Sequence, residues 1–168
     1  MEIRTQDGQV MFESEFRSYI KANGGPTWAE TTEEILNSLG ADVVFEGPQA
    51  TGGTVYQYSQ RQGVEQIDGK WYTKYVLGPI FTDRPATNDQ LAKTAAEQEA
   101  EYKAQKDAEQ AKSVRNDRDQ RLKDSDWTQL SDSTADKQAW ATYRQELRDL
   151  TKQSGFPWTI TWPTAPGA

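Results

Sequence analysis

The feature that most constrains this fold is the segment 87–123, which contains neither Gly nor Pro. It is rich in Ala, Gln, Glu and Lys, which are strong helix formers, and Thr87 followed by Gln90 matches the capping-box pattern of a helix start. Because no residue inside the segment breaks a helix, we predict one uninterrupted helix of at least about 30 residues between Asn88 and Asp124.

The predicted helix has only a narrow stripe of side chains that could pack against a neighbouring element. Its members are Leu91, Ala95, Ala104, Ala108, Ala111, Arg115, Arg118 and Leu122, with Tyr102 to one side. Such a stripe holds little of a globular core, so most side chains of the helix are expected to be exposed. Two interpretations stay open: a solvated strut between two units, and a coiled coil that makes a homo-oligomer through residues 88–123.

The long helix divides the chain into three predicted regions. They are an N-terminal domain at 1–84, a helical spacer at 85–125 and a C-terminal unit at 126–168. The predicted fold class is α+β: a small N-terminal α+β unit with an antiparallel meander, a long central α-helix, and a small C-terminal helix-plus-strand unit.

The N-terminal domain is predicted from its turn and capping signals. Ser14 and the pattern Thr31-x-x-Glu34 indicate the starts of two short helices. Asp68-Gly69 between two apolar runs is typical of a two-residue type I′ hairpin turn. We expect the two helices to pack on about three strands, with one strand face directed at the second helix. That face contains Trp71, Thr73, Tyr75 and Leu77.

The C-terminal region carries four of the six Trp residues, at positions 127, 140, 158 and 162. A helix from about Thr134 to Thr151, capped within 131–133, is predicted from apolar residues at helical spacing. These residues are Trp140, Tyr143, Leu147 and Leu150. Beyond Gly155, alternation of apolar side chains with Thr from 158 to 162 predicts a short strand that ends at Pro163.

The aromatic residues of this region have two open interpretations, an interface and an ordinary core. Trp, Tyr and Arg dominate interface hot spots, but rings at helical spacing are also typical of buried faces. A unit of about 45 residues without metal or disulfide can scarcely enclose all of its rings. Arg144 and Arg148 are likewise expected either to clamp an acidic partner or to pair with Asp126, Glu146 or Asp149.

Composition excludes several classes of function. The absence of Cys and His removes thiolate and imidazole nucleophiles and the usual zinc ligands. A formal net charge of -7 is the wrong sign for a phosphate-binding surface, so no nucleic-acid partner is expected. No apolar run is long enough for a signal peptide or a membrane span, so we expect no membrane partner and a cytoplasmic site of synthesis.

Carboxylate clusters do not change this interpretation. Asp124, Asp126, Asp132 and Asp136 lack the central Gly and final Glu of a calcium loop, and adjacent acids at helix starts are explained by the helix dipole. We therefore expect no metal, no cofactor and no catalytic residues.

One ordered string resembles a known family. It runs from Arg121-Leu122 and Asp126-Trp127 through Trp140-x-x-Tyr143-Arg144-x-x-Leu147-Arg148-Asp149-Leu150 to Gly155-Phe156-Pro157 and Trp162-Pro163. Over residues 114–166 this is similar to the phage tail assembly chaperones, a family close to the tail-fibre assembly proteins. The resemblance implies a non-catalytic factor that acts in the host cytoplasm and binds a phage tail fibre or another tail protein.

The resemblance and the aromatic load together define the expected partner-binding residues. They are Trp140, Tyr143, Arg144, Leu147, Arg148, Phe156, Trp158, Trp162 and Pro163. Binding is expected at the edge formed by Trp158, Trp162 and Pro163, because rigid rings lose little entropy on docking. The long helix leaves a second function open, a virion protein that stays in the tail as a fibre adaptor or tip subunit. A third, an interaction module unrelated to phage, requires rejecting the resemblance.

Overall fold

The computed structural model describes residues 1–167. It divides into two compact units, Met1–Ile80 and the described chain from Phe81 onward. The first contains a sheet and two helices, and the second contains the long helix and a further helix. The predicted α+β class is confirmed.

The sheet of the first unit has five strands in the order β2-β1-β3-β5-β4. They are β1 Glu2–Thr5, β2 Val10–Phe12, β3 Ala41–Phe45, β4 Tyr58–Ile67 and β5 Lys70–Gly78. The antiparallel meander is corrected to a mixed sheet, because β3 and β5 pair in parallel. After β3 the chain crosses to the sheet edge as β4, and β5 returns between the two strands.

The hairpin between β4 and β5 forms at the predicted turn. Asp68 and Gly69 have positive φ values of 48° and 79°, which is the left-handed backbone that a type I′ turn requires at both central positions. Ile67 pairs with Lys70 across it. The turn prediction is therefore confirmed.

The two helices of the first unit begin at other residues than predicted. Helix α1 spans Glu13–Ala22 and follows Phe12, while α2 spans Glu33–Ser38 and is capped by Thr32, whose hydroxyl accepts from the Ile35 amide. Thr31 does not cap this helix. Its hydroxyl donates to Glu13 Oε1 at 2.5 Å and accepts from Trp28 Nε1 at 2.8 Å.

The core of the first unit lies between the helices and strands β1 and β3. Its fully packed members are Ile3, Phe16, Leu36 and Ala41. The prediction that Trp71 packs on the second helix is wrong. Ile3 faces the helices and pairs with Val43, whereas Trp71 pairs with Val44, and neighbouring residues of a strand point to opposite faces. Trp71 instead stacks under the Arg4 guanidinium, 3.8 Å from its ring centroid.

The second unit begins with a loop and then the long helix. Helix α3 spans Ala95–Asp124, 30 residues without a break, so the predicted helix is confirmed. Its start is later than expected, because Thr94 and Glu97 form the capping box. Thr87 lies in a turn with Gln90, inside a loop closed by the pairing of Arg84 with Lys93.

Most side chains of α3 are exposed, as predicted. The covered face agrees with the predicted stripe only in part. Ala111 is buried as predicted, whereas Ala104 and Ala108 are exposed and Val114, outside the stripe, is buried. The helix is therefore a structural part of the second unit along its C-terminal half, where it packs on the following helix.

That following helix, α4, spans Lys137–Asp149 and is extended by a 3₁₀ turn at Leu150–Lys152. Asp136 caps it by accepting from the Gln138 and Ala139 amides, so the cap expected within 131–133 is wrong. The prediction of a C-terminal strand is also wrong, because residues 153–167 form turns and irregular backbone. The backbone of Thr161 bonds the Gln153 side chain at 2.7 and 2.8 Å, which takes the place of a strand partner.

Candidate partner-binding site

The second unit is built around a small apolar core at the crossing of α3 and α4. Tyr143, Leu147 and Leu150 are buried, and α3 contributes Ala111 and Val114. These side chains stabilise the unit by removing apolar surface from water. Tyr143 and Leu147, two of the predicted partner-binding residues, therefore lie in the core.

Arg144 joins the end of α3 to α4. Its guanidinium donates to the Leu122 carbonyl at 2.6 Å, to Ser125 Oγ at 2.7 Å and to Asp126 Oδ1 at 2.8 Å. The residue is only 8% exposed. Hydrogen bonds from a charged donor are stronger than neutral ones, so Arg144 fixes the connection between the helices. Of the two alternatives for this residue, the structure contains the pair with Asp126.

The connection itself is a 3₁₀ turn at Asp126–Gln129. Thr128 is fully buried, and its hydroxyl donates to the Ser125 carbonyl at 2.7 Å. From α4, the Lys137 ammonium donates to the carbonyls of Thr128 and Leu130. The turn is thus held from inside by Thr128 and from outside by Lys137.

An aromatic cluster borders this turn. The rings of Trp127 and Trp140 lie 5.8 Å apart at 64°, and Trp140 meets Tyr143 edge-on at 5.5 Å. Edge-to-face contacts of this kind add stability beyond area burial. Trp140 is half-buried in the cluster, whereas Trp127 is 52% exposed and Leu130 is 57% exposed.

The C-terminal segment lies along α3 through three aromatic residues. Trp158 Nε1 donates to Asp107 Oδ1 at 2.5 Å. The Arg115 guanidinium lies 5.4 Å from the Phe156 ring centroid, and that of Arg121 lies 4.4 Å from the Trp162 ring centroid. Cation–π contacts favour these stacked positions, so the segment is fastened to α3 and its rings are only half-buried.

The predicted partner-binding residues therefore fall into three groups. Tyr143, Arg144 and Leu147 lie inside the unit. Trp140 and the C-terminal residues Phe156, Trp158, Trp162 and Pro163 are half-buried at its surface. Arg148 is exposed and forms no ion pair among residues 1–167. Its neighbour Asp149 has a lowered pKa, caused first by the hydrogen bond from Gln145 and then by Lys152.

Sequence reasoning did not select the two exposed apolar side chains of the connecting turn, Trp127 and Leu130. The pair Asp126-Trp127 belongs to the ordered string, but helical spacing does not extend to a 3₁₀ turn. It also missed the cations on α3, because Arg115 and Arg121 acquire their aromatic partners only when the C-terminal segment folds back.

Part of this unit matches a known protein family. Residues 111–167 match the phage tail assembly chaperone protein family. The match begins at the buried Ala111 of α3 and covers the 3₁₀ turn, α4 and the C-terminal segment. It confirms the resemblance carried by the ordered string. No curated protein and no solved structure was found to match the chain.

The phage tail assembly chaperone region thus coincides with the part of the second unit in which α3 packs on α4, and the match supports a role in phage tail assembly. Within residues 1–167, no helix is both long and apolar enough to cross a bilayer. The same residues include no group of three or more acidic side chains placed to hold a metal ion.

Proposed function

We propose that this chain is a non-catalytic bacteriophage tail assembly chaperone that binds a tail protein, in particular a fibre protein, and shields its apolar surface before assembly. The family match over residues 111–167 carries this proposal. The chaperone would act in the host cytoplasm, where the tail proteins are synthesised.

The polar groups of the second unit support a binding role. Arg144, Lys137 and Asp107 each hold another part of the same unit, so these side chains position aromatic surface. Pre-positioned rings bind with little loss of conformational entropy. A surface of this kind suits reversible association with another protein.

The accessible members of the predicted set are the contacts we assign to the partner. They are Trp140, Arg148, Phe156, Trp158, Trp162 and Pro163, while the buried Tyr143, Arg144 and Leu147 keep them in place. Trp162→Ala is expected to weaken binding of the tail protein by roughly 2 kcal/mol or more. Thr164→Ala, at an exposed position of the same segment, is the matched control and should leave binding unchanged.

Co-expression tests the chaperone function directly. Each tail protein of the same phage is produced alone and together with the full chain, and its soluble fraction and complex with the chain are measured. At least one tail protein should be soluble only with the chain. A chain that neither binds nor solubilises any of them contradicts the proposal.

The alternative is a structural protein that remains in the tail as a fibre adaptor or tip subunit and oligomerises through α3. The unbroken 30-residue helix, most of it exposed, favours this second function. Quantitative protein analysis of purified particles separates the two. A chaperone is depleted from virions, whereas an adaptor is present at a fixed stoichiometry.

A further inference from the structure

The turn that joins α3 to α4 presents two large apolar side chains to water. Trp127 is 52% exposed and Leu130 is 57% exposed, while Thr128 between them is fully buried. We call residues 127–130 the docking turn. Neighbouring exposed apolar side chains of this size on a small unit are typical of binding surfaces.

The docking turn is fixed before any partner arrives. Arg144 holds its N-terminal side through Ser125 and Asp126, and Lys137 holds its carbonyls at Thr128 and Leu130. A partner would therefore not have to order this backbone, which lowers the entropic cost of binding.

Acidic side chains predominate within the segment that contains the turn. Residues 124–136 contain four Asp and no Lys or Arg. Of the adjacent cations, Arg144 is buried on its acceptors, while Arg121, Lys123 and Lys137 are exposed. Arg121 lies over the Trp162 ring and Lys137 donates to carbonyls of the turn. Asp124, Asp132 and Asp136 are exposed. A cationic partner is complementary to this rim, and charge complementarity selects partners more than it adds affinity.

The other tryptophans indicate which cation fits. Arg guanidinium groups lie over Trp71, Trp28 and Trp162 at 3.8, 4.8 and 4.4 Å from the ring centroids. Trp127 contacts the ring of Trp140, and among residues 1–167 no cation lies over it. Its exposed face is therefore open to an external guanidinium.

We propose that the docking turn binds an apolar segment of a tail protein that carries arginine, with Leu130 contacting the apolar side chain and Trp127 stacking on the guanidinium. The inference rests on the proposed function, since it names the partner chemistry of the same region. A second copy of this chain fits poorly, because it would bring its own four Asp to the contact.

Binding of two synthetic peptides to the full chain tests the partner chemistry. One is a short amphipathic helix of Leu and Arg, and the other replaces every Arg by Glu. Fluorescence anisotropy of the labelled peptides should show binding of the Arg peptide and at least tenfold weaker binding of the Glu peptide, with an affinity that falls as salt is added. Equal affinity for the two peptides overturns the proposal.

Substitutions locate the binding. Trp127→Ala and Leu130→Ala should each weaken the Arg peptide roughly tenfold or more. The matched control for Leu130 is Leu91→Ala, at another exposed position of the same unit, 87% exposed, and it should bind like the unchanged chain. Because loss of Trp127 removes its contact with Trp140, Trp127→Phe and Leu130→Ala decide the test if Trp127→Ala unfolds the unit. Unchanged affinity in the folded variants overturns the assignment.

The role of the acidic rim is measured separately. Asp124→Asn with Asp132→Asn should weaken the Arg peptide severalfold and reduce its salt dependence, whereas Asp89→Asn with Asp117→Asn removes the same charge elsewhere and should have no effect. Sedimentation that shows dimers lost in Leu130→Ala would instead assign the turn to a second copy.

Different outcomes would contradict this inference and the proposed function. A chain that solubilises a tail protein equally well with and without Leu130→Ala keeps its chaperone function and loses the docking turn. A chain that binds the Arg peptide through the turn but no tail protein loses the chaperone function instead.

Discussion

The two units solve the problem of a small core in different ways. The first covers strands β1 and β3 with two helices. Its core consists of the apolar side chains Ile3, Phe16, Leu36 and Ala41. Among the described residues the second buries no more apolar side chains than the first, five in each unit, although it carries four of the six Trp. It also buries the charged side chain of Arg144, and Lys137 donates to the carbonyls of its connecting turn. The difference teaches that aromatic richness need not mean a larger core, since charge-assisted bonds can hold rings at the surface.

The largest expected effect comes from removing the second unit. A fragment of residues 1–84 should keep cooperative thermal unfolding, because its whole core and all five strands lie within it. Circular dichroism during heating measures this. A non-cooperative melt would mean that the first unit depends on the rest of the chain.

A matched pair of core substitutions compares the units. Leu36 and Leu147 are both fully buried. Leu36→Ala should lower the free energy of unfolding of the first unit by about 3 kcal/mol, since its cavity is enclosed. Leu147→Ala should cost the second unit about 2 kcal/mol, since half-buried rings around a small core can close part of the cavity. Urea denaturation measures both, and a larger loss for Leu147 would reverse the comparison.

A second pair tests the reliance of the second unit on charge. Arg144→Ala removes the donor to Ser125 Oγ and Asp126 Oδ1 and leaves the Leu122 carbonyl only its bonds from Ser125, so it should lower the unfolding free energy by about 2 kcal/mol. Arg148→Ala, one helical turn away and exposed, should change it by less than about 0.5 kcal/mol. Similar losses for the two variants would show that Arg144 is not the link between the helices.

The smallest expected effect is a pH dependence in the first unit. The hydrogen bonds from Arg61, at 2.6 and 2.5 Å, lower the pKa of Glu2 below its ordinary value of 4.5. A carboxyl group with a lowered folded pKa stabilises the fold fully above pH 4.5 and loses this contribution as the pH falls through the folded value. For this half-exposed pair the contribution is below about 1 kcal/mol.

Glu2→Gln should therefore reduce the loss of stability measured between neutral pH and pH values below 4.5. Glu30→Gln is the control, because Glu30 is exposed and belongs to no ion pair among residues 1–167. Equal pH profiles for the Glu2 variant and the unchanged chain would remove Arg61 as the cause.

Local signals in the sequence determined part of this protein. The Asp68-Gly69 turn requires two left-handed residues, and the segment without Gly or Pro favours an unbroken helix, so both could be predicted from neighbouring residues alone. The ordered string from Arg121 to Pro163 likewise placed the chaperone region, because a family pattern depends on residue order.

The tertiary structure decided what depends on contacts distant in the chain. Because β3 and β5 pair in parallel, Trp71 lies on the sheet face opposite to α2. Because a closed loop precedes Thr94, α3 starts at a later residue than predicted. Burial of Tyr143 and exposure of Trp127 follow from the crossing of α3 and α4, although both side chains are large aromatic rings. Periodicity reports which residues share a face, whereas the elements that pack against that face decide whether it is core or surface.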